Sequence, residues 1–234
     1  MGFHGSVKIL VFLLISIMIS AFARTRGEPV KTKLIALLFS FTLPVYAASE
    51  SQNHPLAQQW GVLFFAGKQA ADTDVLDILT FKYKNDAPSL YSAELFHDLA
   101  LTNIIRRFFD PITTSVAWAT NFSYINDPSG AVYEFDPYLM FRWMHFPWDK
   151  YITDTFAVGW GVSYDSRIMT WEQTGATKPK KLLNYLMAEV TFALPKYPQW
   201  QLVLRVHHRS GAFGLYNADN KSSNFAGVGI RYLF

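Results

Sequence analysis

Asp154-Thr155-Phe156-Ala157-Val158-Gly159-Trp160-Gly161-Val162-Ser163-Tyr164 is the stretch that decides the fold. Its even positions from Phe156 to Tyr164 are all large, while Thr155, Ala157, Gly159, Gly161 and Ser163 between them are all small. Successive side chains of a strand leave on opposite faces. This segment therefore has one bulky apolar face and one face of small groups. A soluble sandwich also alternates, but its solvent face is polar. Large apolar residues outside and small or polar ones inside is the inverse of that arrangement, and it is the pattern of a strand crossing lipid around a narrow lumen.

The same parity extends in both directions. In 131–142, Phe135, Leu139 and Phe141 alternate with Glu134, Asp136, Tyr138, Met140 and Arg142; at the C-terminus Val228, Ile230, Tyr232 and Phe234 alternate with Gly227, Gly229 and Arg231. Strands rich in Phe, Tyr, Trp, Val and Thr are expected near 60–67, 90–98, 113–123, 131–142, 154–164, 183–193, 199–209 and 224–234. Residues 74–84 are a ninth candidate, set aside because bacterial single-chain membrane barrels have even strand numbers. The expected fold is all-β, an eight-stranded antiparallel transmembrane β-barrel. Its lumen collects Glu94, Glu134, Asp136, Arg142, Glu189, Arg205, His207, Arg209 and Arg231, acids and bases interleaved, with Glu189 and Arg205 placed to pair. So crowded a lumen speaks against a wide channel. Trp143, Phe146, Trp148, Tyr151, Tyr197, Trp200, Tyr232 and Phe234 fall at strand ends, where aromatic girdles sit. A soluble lipocalin-like barrel is the rival, and it would need those outward aromatics covered. With the N-terminus in the periplasm, long outer loops are expected at 68–89, 124–130, 165–182 and 210–223, and a tight inner turn at Pro195-Lys196-Tyr197-Pro198.

Half of the 234 residues are hydrophobic, yet after residue 45 no apolar run approaches the length of a spanning helix. Lys31 and Lys33, the apolar run from Leu34 and the small residues Ala47-Ala48 read as a signal peptide over 30–47, cleaved after Ala47. Residues 1–29 carry an additional apolar run and are expected to be spurious, with translation starting near Val30, or else to form an inner-membrane anchor over 8–22. Residues 48–59 form a periplasmic N-terminal segment, and 60–234 the barrel. The absence of Cys excludes disulfides and thiolate metal sites, and the scattered charges behind a net +3 give nucleic-acid binding little support. No metal site and no cofactor is expected.

Gln201-Leu202-Val203-Leu204-Arg205-Val206-His207-His208-Arg209-Ser210 places its odd positions in the lumen and Leu202, Leu204 and Val206 toward lipid, so His208 and Ser210 share the outward face at the rim. A polar pair there is costly unless used or hydrogen-bonded. As base and nucleophile, His208 takes the Ser210 proton and Ser210 attacks an ester carbonyl presented from the outer leaflet. Parity sends Asn224 to the same face, where its oxygen accepts the other imidazole N–H and fixes the tautomer. Backbone N–H groups of the 210–223 loop, among them those of Gly211, Gly214, Asn217 and Asn220, are candidates for an oxyanion hole. His207 and Glu189 are structural lumen residues. Headgroup contact alone is the bland account of the His-Ser pair.

Leu183-Asn184-Tyr185-Leu186-Met187-Ala188-Glu189, Val203 to Gly211, Ser223-Asn224-Phe225 and Gly229-Ile230-Arg231-Tyr232-Leu233-Phe234 resemble the PagL-type outer-membrane lipid A 3-O-deacylases. That resemblance implies an eight-stranded barrel with a Ser-His-Glu triad on its lipid-exposed surface. It puts His208 and Ser210 on the family's His-x-Ser, and the triad glutamate on Asn224. Asp219 is the alternative acid; Asn220 falls near a family oxyanion position, and Gly211 stands where the family has Asn. The expected function is an outer-membrane serine esterase acting on lipid A, lipopolysaccharide or another outer-leaflet lipid. The alternative is a non-catalytic structural or lipid-binding barrel that has lost the triad acid.

Overall fold

The computed structural model describes residues 59–70, 83, 86–144, 146–174, 176–212, 215–218 and 222–234. The expected signal peptide at 30–47, the 1–29 segment, nearly all of 48–59 and the ninth strand candidate at 74–84, Tyr83 excepted, lie outside the described residues, as do Gly214, Asp219 and Asn220.

Eight strands form: β1 (Trp60–Gln69), β2 (Ser89–Asp98), β3 (Ser115–Asp127), β4 (Gly130–Trp143), β5 (Thr153–Asp165), β6 (Leu182–Ala193), β7 (Trp200–Ser210) and β8 (Ser222–Leu233). Each pairs antiparallel with the next, and β8 pairs with β1 to close the barrel. Closure leaves no unpaired sheet edge, which is what lets strands cross hydrocarbon at all. The small lumen residues allow this tight closure. A Cβ at Gly227 would stand 2.0 Å from the Ala66 carbonyl oxygen and 2.5 Å from the Gly67 Cα, and one at Gly161 2.2 Å from the Pro137 oxygen.

The expected parity holds on every strand. Glu94, Glu134, Asp136, Arg142, Glu189, Arg205, His207, Arg209 and Arg231 are all buried inside, while Phe64 is 68% and Ile230 50% exposed outside. Phe122, Phe135, Leu202 and Val228 continue this apolar belt. Aromatic residues flank it: Trp200 tilts against Tyr232, which stacks on Phe234, at the end bearing the chain termini, and Tyr124 meets Tyr133 toward the other. Such a surface is stable only in lipid, and single-chain bacterial barrels of this build reside in the outer membrane. Among the described residues no helix is long and apolar enough to cross a membrane.

Two connections depart from expectation. Residues 124–130 are not an outer loop: β3 runs on to Asp127, which pairs with Gly130 around Pro128-Ser129. The Asp127 carboxylate accepts from the Ser129 N–H and hydroxyl, and Gly130 takes φ 111°, so the turn residues close a tight hairpin. At the end bearing the chain termini, 99–114 holds a helix, α1 (Ile104–Phe109), capped by Asn103 Oδ1 accepting from the Ile105 and Arg106 N–H groups. Arg106 reaches back to the Thr114 carbonyl, seating the helix against β3. The connection at 194–199 is turn-rich, with Tyr197 N–H on the Leu194 carbonyl and Trp200 N–H on that of Tyr197.

Candidate functional site

At the outer end of the barrel the register aligns Asn184, Ser210 and Ser222 in one row across β6, β7 and β8, and Leu186, His208 and Asn224 in the next. All six point outward, so five polar side chains occupy a face that is hydrocarbon-like lower down. His208 Nδ1 lies 2.6 Å from Asn224 Oδ1. With the amide oxygen accepting, Nδ1 carries the imidazole proton and Nε2 is the basic nitrogen. Ser210 is half-buried on the same strand face, two residues on. Gly211 follows, buried, and Ala212 takes φ 47°, so the chain turns sharply just after the serine.

One expectation about this rim needs correction. The site does not lie open to the outer leaflet: His208 is 2% and Asn224 4% exposed, whereas Val228 on the same face of β8 is 49% exposed. Aromatic side chains reach into this corner. Trp160 Nε1 donates to Asn184 Oδ1 (2.8 Å), Trp171 Nε1 to the Ser222 carbonyl (3.0 Å) and the Tyr83 hydroxyl to the Ala226 carbonyl (2.9 Å). Burying the imidazole costs little because its Nδ1 has a partner.

Below the rim, the outer wall carries an apolar groove of about 620 Å³. Its floor includes Ala66, Ala93 and Gly229, and its walls Phe64, Phe122 and Leu202. Small residues lie between aromatic ones along this shallow groove, which runs over β1, β2 and β3 and includes residues of β7 and β8.

Inside, two charge networks fill the lumen. In the half nearer the chain termini Arg205 donates to Glu189 (2.9 Å) and Glu94 (3.0 Å), Arg231 lies 2.7 Å from Glu189, and the Tyr138 hydroxyl donates to Glu94 (2.6 Å). The expected Glu189–Arg205 pair is thus part of a larger lattice. In the outer half Arg209 meets Asp165 and Glu172, and His207 Nε2 lies 2.8 Å from Glu134 Oε1. His207, Glu134 and Asp136 are the described residues grouped closely enough to hold a metal ion.

Glu172 was not foreseen. It sits on a short helix, α2 (Thr170–Gln173), in the connection read only as a loop, and it is buried there. Met169 packs into the core with Val132, Val203 and Phe225, and Glu172 accepts from Ser223 (3.0 Å) and Arg209. Burial pushes the Glu172 carboxyl up to about 7, against the opposing pull of Arg209. The apolar Ile168-Met169 with Trp171 inside a nominal loop was the signal available for it.

No family model matches the chain, and no curated protein does. Solved structures with a similar fold include the outer membrane enzyme PagL, at 13% identity, covering 74% of this chain and 98% of that one with a TM-score of 0.45. The N-terminal β-barrel domain of Pseudomonas aeruginosa OprF matches at 10% identity, 76% and 98% coverage and a TM-score of 0.45. Neisserial surface protein A matches at 10% identity, 75% and 97% coverage and a TM-score of 0.42. At such identities the likeness is one of fold alone, shared by an enzyme, a domain and a surface protein.

Proposed function

We propose that this barrel is an outer-membrane serine esterase that removes an ester-linked acyl chain from lipid A or another lipid of the outer leaflet. The observation that carries the reading is the 2.6 Å contact of His208 Nδ1 with Asn224 Oδ1 on the outward face, with Ser210 two residues along the same strand. Held in this tautomer, His208 Nε2 takes the Ser210 proton as Oγ bonds to the ester carbonyl carbon. The negative charge on the carbonyl oxygen falls to N–H groups after the sharp turn at Gly211. Collapse breaks the ester C–O bond, and the imidazolium returns its proton to the leaving alkoxide. Water then cleaves the acyl-enzyme by the same steps. The apolar groove below supports the reading, since a hydrocarbon chain can lie there while its ester stays at the rim.

A reactive phosphonate ester offered in detergent micelles tests this. The reading expects one covalent adduct, mapped by peptide mass spectrometry to Ser210 and abolished in His208→Gln. Folded barrel that stays unlabelled, or is labelled equally in His208→Gln, favours the second reading: a non-catalytic lipid-binding barrel. The neutral Asn224 speaks for that reading, because it cannot offset the imidazolium charge as a carboxylate would.

A further inference from the structure

The outer half of the lumen holds more acid than base. Glu134, Asp136, Asp165 and Glu172 are buried there, and among the described residues the basic groups that meet them are the Arg209 guanidinium and the His207 imidazole. The half nearer the chain termini differs, with Glu94 and Glu189 matched by Arg205 and Arg231. Buried carboxylates in excess require a compensating cation, whether protons or a metal ion.

The acids of the outer half also converge. Glu134, Asp136 and His207 each offer one ligand atom, and these atoms all lie within 4.8 Å of one another. Glu134 and Asp136 stand two apart on the lumen face of β4, and His207 approaches from β7 across the lumen. Asp136 is fully buried; its Oδ2 accepts from Asn121 Nδ2 (2.9 Å), Ser163 and Glu134 lie beside its carboxyl, and its Oδ1 meets no donor in good hydrogen-bond geometry among the described residues. Asn121 Oδ1, on the neighbouring strand, is likewise buried without a donor. A buried carboxylate oxygen without a donor is what a cation would satisfy.

We propose that Glu134, Asp136 and His207 bind one divalent transition-metal ion, which ties β4 to β7 across the lumen. One imidazole nitrogen with two carboxylates suits Zn²⁺, Mn²⁺ or Co²⁺, whereas Ca²⁺ and Mg²⁺ take oxygen ligands. The ion supplies positive charge that Arg209 alone does not. Its role is structural, because β7 sends His207 inward and His208 outward, and the site does not depend on the esterase reading.

The test uses tag-free, detergent-folded barrel stripped with chelator, loaded with Co²⁺ or Zn²⁺ and desalted. The proposal expects about one bound ion per chain by elemental analysis and visible ligand-field absorption from Co²⁺. It also expects a shift of heat-induced unfolding to higher temperature with Zn²⁺ but not with Mg²⁺. Asp136→Asn, which keeps the shape, and His207→Gln should each weaken retention at least about tenfold, while His97→Gln, outside the lumen, should not. Folded wild type that retains no metal above buffer overturns the proposal, as does equal retention in Asp136→Asn. Asp136→Asn that is more stable than metal-free wild type, with no metal effect on either, assigns the compensation to protons and also overturns it.

Discussion

Asn224 fixes the His208 ring through an amide oxygen at 2.6 Å, and the consequences of that choice are measurable. If the amide only orients the ring, Asn224→Asp keeps or raises kcat, because a carboxylate orients it equally and offsets the imidazolium charge. Asn224→Leu removes the acceptor and should lower kcat by on the order of 10²-fold or more. Steady-state hydrolysis of a micellar ester checks both, and equal rates in wild type and Asn224→Leu would deny Asn224 any part in positioning. The outward placement of His208, Ser210 and Asn224 was legible in the sequence because strand parity is a strict period of two. Their burial was not, since it depends on tertiary packing at this corner, where Trp160 from β5 and Tyr83 from between β1 and β2 bond to neighbouring residues.

Glu172 makes the docking of helix α2 pH-dependent. The Glu172 carboxyl is raised from 4.5 to about 7 by burial, with Arg209 and Ser223 favouring its charged form and Glu134 and Asp127 opposing it. A raised carboxyl favours the docked, protonated state. Docking is therefore unpenalised below pH 4.5 and weakens as pH rises toward 7, by about 3 kcal/mol in all, at 1.36 kcal/mol per unit. The hydrogen-exchange protection factor of α2, which removes the intrinsic pH dependence of amide exchange, should fall over that window in wild type and stay level in Glu172→Gln; a level wild-type protection factor would contradict the assignment. The strands are equally specific in their demands. Gly227→Ala should destabilise the barrel by about 1–3 kcal/mol or more, because its Cβ meets the Ala66 and Gly67 backbone, which cannot rotate away. Urea unfolding in detergent measures it. The sequence indicated each strand within a few residues, since alternation spans whole segments. It did not indicate α1 or α2, whose one or two turns carry too short a period to read, nor the Pro128-Ser129 hairpin, whose turn residues mimic a longer loop.

At the scale of the whole molecule, the barrel is inverted: ion pairs inside, aromatic and aliphatic side chains outside. The placement in lipid predicts that Ile230→Arg, in the middle of the outer belt, costs about 2–4 kcal/mol in vesicles, with a far smaller effect for Leu194→Arg, exposed in a connection between strands. Equal costs would argue that the belt does not meet hydrocarbon. A largely apolar outer wall with Ser210, His208 and Asn224 clustered at one rim is the context in which the proposed esterase would meet its substrate by diffusion in the plane. The direct measurement is mass spectrometry of outer-leaflet lipids, lipid A included, from bacteria expressing wild type or Ser210→Ala at equal folded levels. The account predicts a lipid species lighter by one ester-linked acyl chain in wild type and its absence in Ser210→Ala. Identical lipid profiles in the two strains would contradict it.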